Sequence, residues 1–215
     1  NATALYTDTL GYGWTHNHDL RLSFETDADD QPIVYFKAQS ANQYRFMVDN
    51  SSGSAVYVPD PGVPATLVAS GSGYTLTDSK GSVYSFNGAG QLTTWVDPKA
   101  ITWVYSYDGQ DRLQTVSEVN ASLAAGDRRS LTFAYVGSTQ RLSSVQDQAG
   151  RSITLGYSAN GDLETATDVR GKTWTYQYDD AHHMTRVIDP TTRTQIRVEY
   201  DAQGRAYRQY DGNDH

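Results

Sequence analysis

The sequence predicts an all-β fold of tandem β-hairpins, and three observations predict it. An aromatic residue recurs at Phe86, Tyr107, Tyr135, Tyr157, Tyr178 and Tyr200, at separations of 21, 28, 22, 21 and 22 residues. A fixed period in this range is the mark of a repeat architecture. Before each aromatic, large apolar residues alternate with polar ones, as in Trp103/Tyr105, Leu131/Phe133, Ile153/Leu155, Trp174/Tyr176 and Ile196/Val198. That period of two belongs to a strand with one buried face. About six residues after the aromatic stands Leu92, Leu113, Leu142, Leu163, Met184 or Ala206, and five further on an acid: Asp97, Glu118, Asp147, Asp168, Asp189 or Asp211.

One unit, Thr173–Thr194, reads as follows. Trp174, Tyr176 and Tyr178 alternate with Thr173, Thr175 and Gln177 as an outgoing strand. The polar run 179–183 is a turn, and 184–188 is the returning strand. Asp189-Pro190 ends it, because proline cannot donate to a ladder. The separation of 28 is explained by an insertion around 120–129, which has no strand pattern. Turns with Asp first and Gly fourth, the preference of a type I turn, stand at Asp78–Gly81, Asp147–Gly150, Asp168–Gly171 and Asp201–Gly204. In the returning strand Leu113 is followed by Val116, Leu142 by Val145 and Met184 by Val187. An offset of three puts such pairs on opposite faces of a regular strand, so either both faces are covered or a bulge resets the register.

The first part of the chain lacks the strict repeat. Gly11-Tyr12-Gly13-Trp14 is a glycine-flanked aromatic pair, read either as a ligand-stacking loop or as a lead-in whose glycines allow a bend while Trp14 plugs a sheet end. Strands are expected at 19–25, 33–37, 44–49 and 55–58, with turns at 27–30 and 49–53. The proline-dense stretch 59–64 is the candidate boundary, giving an N-terminal β-meander over 1–70 and hairpin repeats over 71–215. Strands resume at 65–69, so the same stretch is equally a long loop.

Composition narrows the functions. The chain has 215 residues, no cysteine and a net charge of −8. With no basic stripe, nucleic acid and anionic membranes are not expected as partners. No apolar run approaches the ~20 residues of a membrane helix, and no signal peptide is read at the N-terminus. Asn1 is not Met, so a piece of a longer protein or a processed chain is expected.

Tyr200-Asp201-Ala202-Gln203-Gly204-Arg205 resembles the core of the YD repeat of Rhs proteins, Tyr-Asp, two variable residues, Gly-Arg-Leu, with Ala206 in place of the Leu. Tyr107-Asp108-Gly109-Gln110-Asp111-Arg112-Leu113 is similar, with Asp111 where Gly is usual. Tyr157 to Leu163 keeps only Tyr157, Gly161 and Leu163, while Tyr178-Asp179 keeps the opening pair. Gly11–Trp14 and Leu20-Arg21-Leu22 resemble the segment that opens such repeat regions, so the resemblance covers about 11–215. The family includes bacterial polymorphic toxins, the B and C components of insecticidal toxin complexes, and teneurins. The resemblance implies an open, curved, spiralling antiparallel sheet forming a hollow shell. In bacterial members that shell encloses a C-terminal toxin released by an autoprotease. Asp189-Pro190-Thr191-Thr192 has the Asp-Pro but not the Gly of the Asp-Pro-x-Gly ending of that protease. The chain is expected to be a piece of shell wall, secreted or delivered by a bacterial secretion system, with the remaining repeats and the toxin as partners. The repeat-motif residues are Phe86, Tyr107, Asp108, Arg112, Leu113, Tyr135, Tyr157, Gly161, Tyr178, Asp179, Tyr200, Asp201, Gly204 and Arg205.

Catalytic chemistry is not legible. No G-x-S-x-G, P-loop or H-E-x-x-H stands in the sequence. His16-x-His18 would put two imidazoles on one face of a strand, but zinc needs three or four ligands and nothing ties His182 and His183 to that pair. Asp27, Asp29 and Asp30 lack the glycine and distal Glu of a calcium loop. No enzyme, cofactor or metal is expected. The aromatic rows read first as cross-strand packing and second as platforms for carbohydrate. The expected function is thus a non-catalytic shell segment; the alternative is an extracellular module binding carbohydrate or a cell-surface protein. N-x-S/T sequons stand at Asn1, Asn50 and Asn120.

Overall fold

The computed structural model of the chain describes residues 7–120 and 122–212. The sequon at Asn1 and the terminal residues 213–215 lie outside them. The chain divides into two compact units. One is His16–Ser130. The other begins at Leu131 and includes the segment that ends at Thr15.

In that segment β1 (Thr7–Asp8) and β2 (Gly11–Tyr12) form a two-residue antiparallel ladder. The unit 16–130 then runs as a meander: β3 (Arg21–Thr26), β4 (Pro32–Lys37), β5 (Gln43–Asp49), β6 (Val56–Pro59), β7 (Ala65–Ser70), β8 (Gly73–Asp78), β9 (Val83–Phe86), β10 (Leu92–Val96), β11 (Thr102–Tyr107) and β12 (Leu113–Val119). Each strand pairs antiparallel with the next. The proline stretch joins β6 to β7 within this unit. The inward rows are apolar at every second residue, and Leu22, Val34, Phe36, Phe46, Leu67, Leu76, Phe86 and Leu92 are buried. Phe36 and Tyr84 stand on β4 and β9, which share no ladder, yet their rings are 5.4 Å apart. The sheet therefore curls until its inner face meets itself. On the outer side of β3, Leu22 N donates to Gly90 O at 2.8 Å and Arg21 bridges Gln91. This is a single bridge and no ladder.

The other unit continues with β13 (Ser130–Tyr135), β14 (Leu142–Asp147), β15 (Ser152–Tyr157), β16 (Leu163–Thr167), β17 (Thr173–Tyr178), β18 (Met184–Ile188), β19 (Thr194–Tyr200) and β20 (Ala206–Asp211). These too pair in chain order. Among the described residues β20 has a ladder to β19 alone, so the sheet ends open there. The edge strand is β20, since β19 is paired on both sides. Helical structure among the described residues is a 3-10 turn, Ala125–Asp127, inside the insertion.

Every hairpin from β9 to β20 resets its register at the repeat aromatic. Tyr107 faces Leu113 while Ser106 faces Thr115, leaving Gln114 as the extra residue of a bulge; the same shift recurs at Phe86, Tyr135, Tyr157, Tyr178 and Tyr200. The bulge puts Leu113 and Val116 on one face, and both are buried.

Candidate functional site: the junctions between hairpins

Each turn that opens with Asp is built by that residue. Asp108 Oδ1 accepts the backbone N–H of Gln110 and Arg112; Asp147, Asp168, Asp179, Asp189 and Asp201 do the same two and four residues on. The fourth residue then takes positive φ, as at Gly150, Gly161, Gly171 and Gly204. Glycine carries no Cβ penalty there. In three turns the residue closing the turn is an arginine clamped on the free carboxylate oxygen: Arg112 on Asp108 at 2.7 Å, Arg151 on Asp147 at 2.6 Å and Arg205 on Asp201 at 2.8 Å. The arginine hydrogen bonds hold Asp108 and Asp147 below the usual carboxylate range, and the Arg205 backbone N–H does so first for Asp201.

The predicted aromatics Phe86, Tyr107, Tyr135, Tyr157, Tyr178 and Tyr200 each end an outgoing strand. Three of them, Tyr107, Tyr157 and Tyr200, reach back one hairpin with their hydroxyls. Tyr107 Oη donates to Leu92 O at 3.0 Å, Tyr157 Oη to Leu142 O at 2.7 Å and Tyr200 Oη to Met184 O at 2.9 Å. In each case the acceptor is the first residue of the previous returning strand, next to its bulge. Burial pushes the Tyr157 phenol up to about 12, and those of Tyr105 and Tyr178 up as well.

A second contact joins successive turns. The residue closing one turn lies against the positive-φ residue of the next. Gln91 Nε2 donates to Asp111 Oδ1 at 3.3 Å, and His182 Nδ1 lies 2.9 Å from Asp162 Oδ1. Arg141 and His183 occupy the space where a Cβ on Gly161 or Gly204 would stand. Arg141 also lies over the Tyr157 ring at 5.9 Å, and His183 stacks on Tyr200 at 4.6 Å. The departures from the YD pattern are therefore matched. Asp111 replaces Gly where the preceding turn closes on an amide. Asp162 replaces Arg where the following turn carries His182. Neither pairing was visible without knowing that closing and fourth positions of adjacent turns touch.

The Gly11–Trp14 segment crosses this face of its own unit. Leu142 N donates to Thr9 O at 2.7 Å, and Tyr157 Oη contacts the same carbonyl at 3.2 Å. A Cβ on Gly11, which has φ +83°, would stand 2.6 Å from Gly161 O. Tyr12 stacks on His182 at 3.6 Å; Trp14 packs edge-on against Tyr176 and donates its Nε1 to Tyr178 Oη at 2.8 Å. Its rings are engaged by the repeats. His16 and His18 sit in a turn and not on a strand: Asp19 N donates to His16 O, and His18 Nδ1 meets Tyr105 Oη at 3.1 Å. No group of three metal-ligating side chains occurs among the described residues. Glu118 falls in β12 and not in a turn; buried, it accepts from Arg129 at 2.7 Å, and the Arg129 guanidinium lies 4.7 Å over Trp103.

The model of the RHS Repeat family matches residues 86–126 and 157–194, beginning at Phe86 and at Tyr157. No curated protein matches the sequence. Among solved structures the chain is similar to TcdB2-TccC3-TEV at 12% identity and TM-score 0.43, covering 87% of this chain and 12% of that one. It is similar to the Photorhabdus luminescens Tc holotoxin pore at 12% identity and TM-score 0.33, covering 88% and 13%. A porin-like protein from Bacteroides uniformis ATCC 8492 is similar at 14% identity and TM-score 0.41, covering 89% and 93%. The chain thus spans about an eighth of the Tc chains. Two segments of the chain thus resemble the RHS Repeat, and both start on the repeat aromatic.

Proposed function

We propose that this chain is a non-catalytic wall segment of an Rhs-repeat shell that encloses or delivers a C-terminal toxin domain. The supporting observation is the junction between hairpins, where the recurring polar residues are spent on coupling each repeat to its neighbour. Tyr157 and Tyr200 tie strand to strand, and Asp162 and His183 tie turn to turn. In a quasi-one-dimensional repeat such nearest-neighbour terms set the stability of a continuous sheet. In this reading 1–70 opens the repeat region, 71–215 supplies repeats, and the partners are further repeats and the enclosed domain. In the same reading the protein acts after delivery outside the producing cell. The test is limited proteolysis of the full-length protein that contains this chain. A domain downstream of the repeats should resist protease until denaturant opens the repeats. Cleavage of that domain at the rate of its isolated form would overturn the proposal, as would a turnover reaction abolished by a substitution in this chain that leaves it folded.

A further inference from the structure

We infer that the curled sheet of the 16–130 unit carries a binding pocket for a neutral saccharide at one end. The turns 38–42 and 78–82, the start of β7 and the end of β10 converge there around a cavity of about 360 Å³. The mouth of a curled or closed sheet is a favoured place for a small-molecule site, and the volume is in the range such sites use. Its walls include the rings of Phe36, Tyr44, Tyr84 and Trp95. Phe36 and Tyr84 meet across the interior, and Trp95 is held between Tyr84 and Trp103 in near-parallel contacts, so the walls are rigid.

The rim supplies unspent hydrogen-bonding groups. Gln39, Ser40 and Lys80 line the pocket with exposed side chains, and among the described residues no hydrogen bond or ion pair engages those side chains. Asp78 commits Oδ1 to the N–H groups of Lys80 and Ser82, while Oδ2 has only a 3.3 Å contact from Tyr84 Oη. That oxygen retains acceptor capacity. The pocket therefore offers aromatic walls, an amide, a hydroxyl, one cation and one anion. Aromatic walls suit the C–H faces of a pyranose, and the mixed rim suits its hydroxyls. One carboxylate beside one ammonium leaves no net charge to select an anionic or cationic ligand.

The test uses the 215-residue chain with maltotriose, cellotriose and triacetylchitotriose as probes, and trigalacturonate as the anionic control. The indole N–H resonances report position, because Trp14 and Trp174 serve as internal references for Trp95. We expect one neutral trisaccharide to shift the Trp95 indole saturably in the millimolar range. We expect binding at least about fivefold weaker in Lys80→Ala with Gln39→Ala, which remove exposed turn side chains and leave the unfolding midpoint unchanged. The inference is overturned by no saturable shift with any neutral probe, by shifts that spare Trp95, by binding indifferent to the double variant, or by binding of trigalacturonate alone. None of these outcomes bears on the shell reading, which rests on the hairpin junctions.

Discussion

Removing one hydroxyl from Tyr157 tests the coupling between hairpins directly. Tyr157 Oη donates to Leu142 O at 2.7 Å, with Thr9 O a second acceptor at 3.2 Å. Tyr157→Phe keeps the ring and the Arg141 contact and deletes only the donor. A typical hydrogen bond contributes about 0.5–1.5 kcal/mol net, and an acceptor left buried without a partner costs about 1–3 kcal/mol. Tyr157 is half-buried, so we expect a loss of about 1–2 kcal/mol. Tyr200→Phe, next to the open edge, has one acceptor and should cost less, about 0.5–1 kcal/mol. Phe86 is the internal precedent, since the ring alone suffices to end that strand. Urea unfolding with an unchanged slope would report the losses as shifts in midpoint. A pH arm adds a second readout. Burial raises the Tyr157 pKa to about 12, so the folded state holds the phenolic proton more tightly than the unfolded chain. Stability from this group is complete below pH ~10 and falls as pH rises from there toward 12. Tyr157→Phe should lose part of that alkaline decline. A midpoint for Tyr157→Phe indistinguishable from wild type, or a larger loss at Tyr200 than at Tyr157, would refute the coupling account.

Further outcomes are expected. Thr192→Gly should stabilise the chain by about 0.5–1 kcal/mol in thermal or urea melts, because a β-branched residue at φ 69° carries about 1–2 kcal/mol of strain that exceeds the added chain entropy of glycine. Gly11→Ala should destabilise by about 2–3 kcal/mol, since φ +83° and the Gly161 carbonyl at 2.6 Å both oppose a Cβ; proteolysis near Gly11 should rise in step. Stability should fall in acid. The depressed carboxyls of Asp108, Asp147 and Asp201 contribute fully above their unfolded pKa near 4 and lose that contribution as pH falls through their lower folded values, a decline that Asp201→Asn should reduce in an acid titration. Hydrogen exchange across β19 and β20 should show the outward N–H groups of β20 least protected, because among the described residues β20 has no ladder on that side.

The linear order of residues determined the elements. A polar–apolar period of two, an aromatic every 21–22 residues and Asp five places before the next strand are local signals, and each acts through neighbours in the chain. They placed the hairpins within a residue or two, including 44–49 against Gln43–Asp49 and 65–69 against Ala65–Ser70. The Asp108–Arg112 clamp was implicit in the same spacing. The offset of Leu113 and Val116 stayed ambiguous, because a bulge is a property of two strands and the register shift at Tyr107 appears only once β12 is laid on β11. The His16-x-His18 pair was misplaced for a similar reason: alternation fits a strand, but the Asp19–His16 backbone bond folds a turn there. Tertiary structure alone decided what the junctions contain. Asp162 meets His182 across 20 residues, and Trp14 meets Tyr178 across 164. Such pairings leave no mark on either partner's local pattern, because each residue satisfies its own turn or strand and they become neighbours only when the hairpins are stacked.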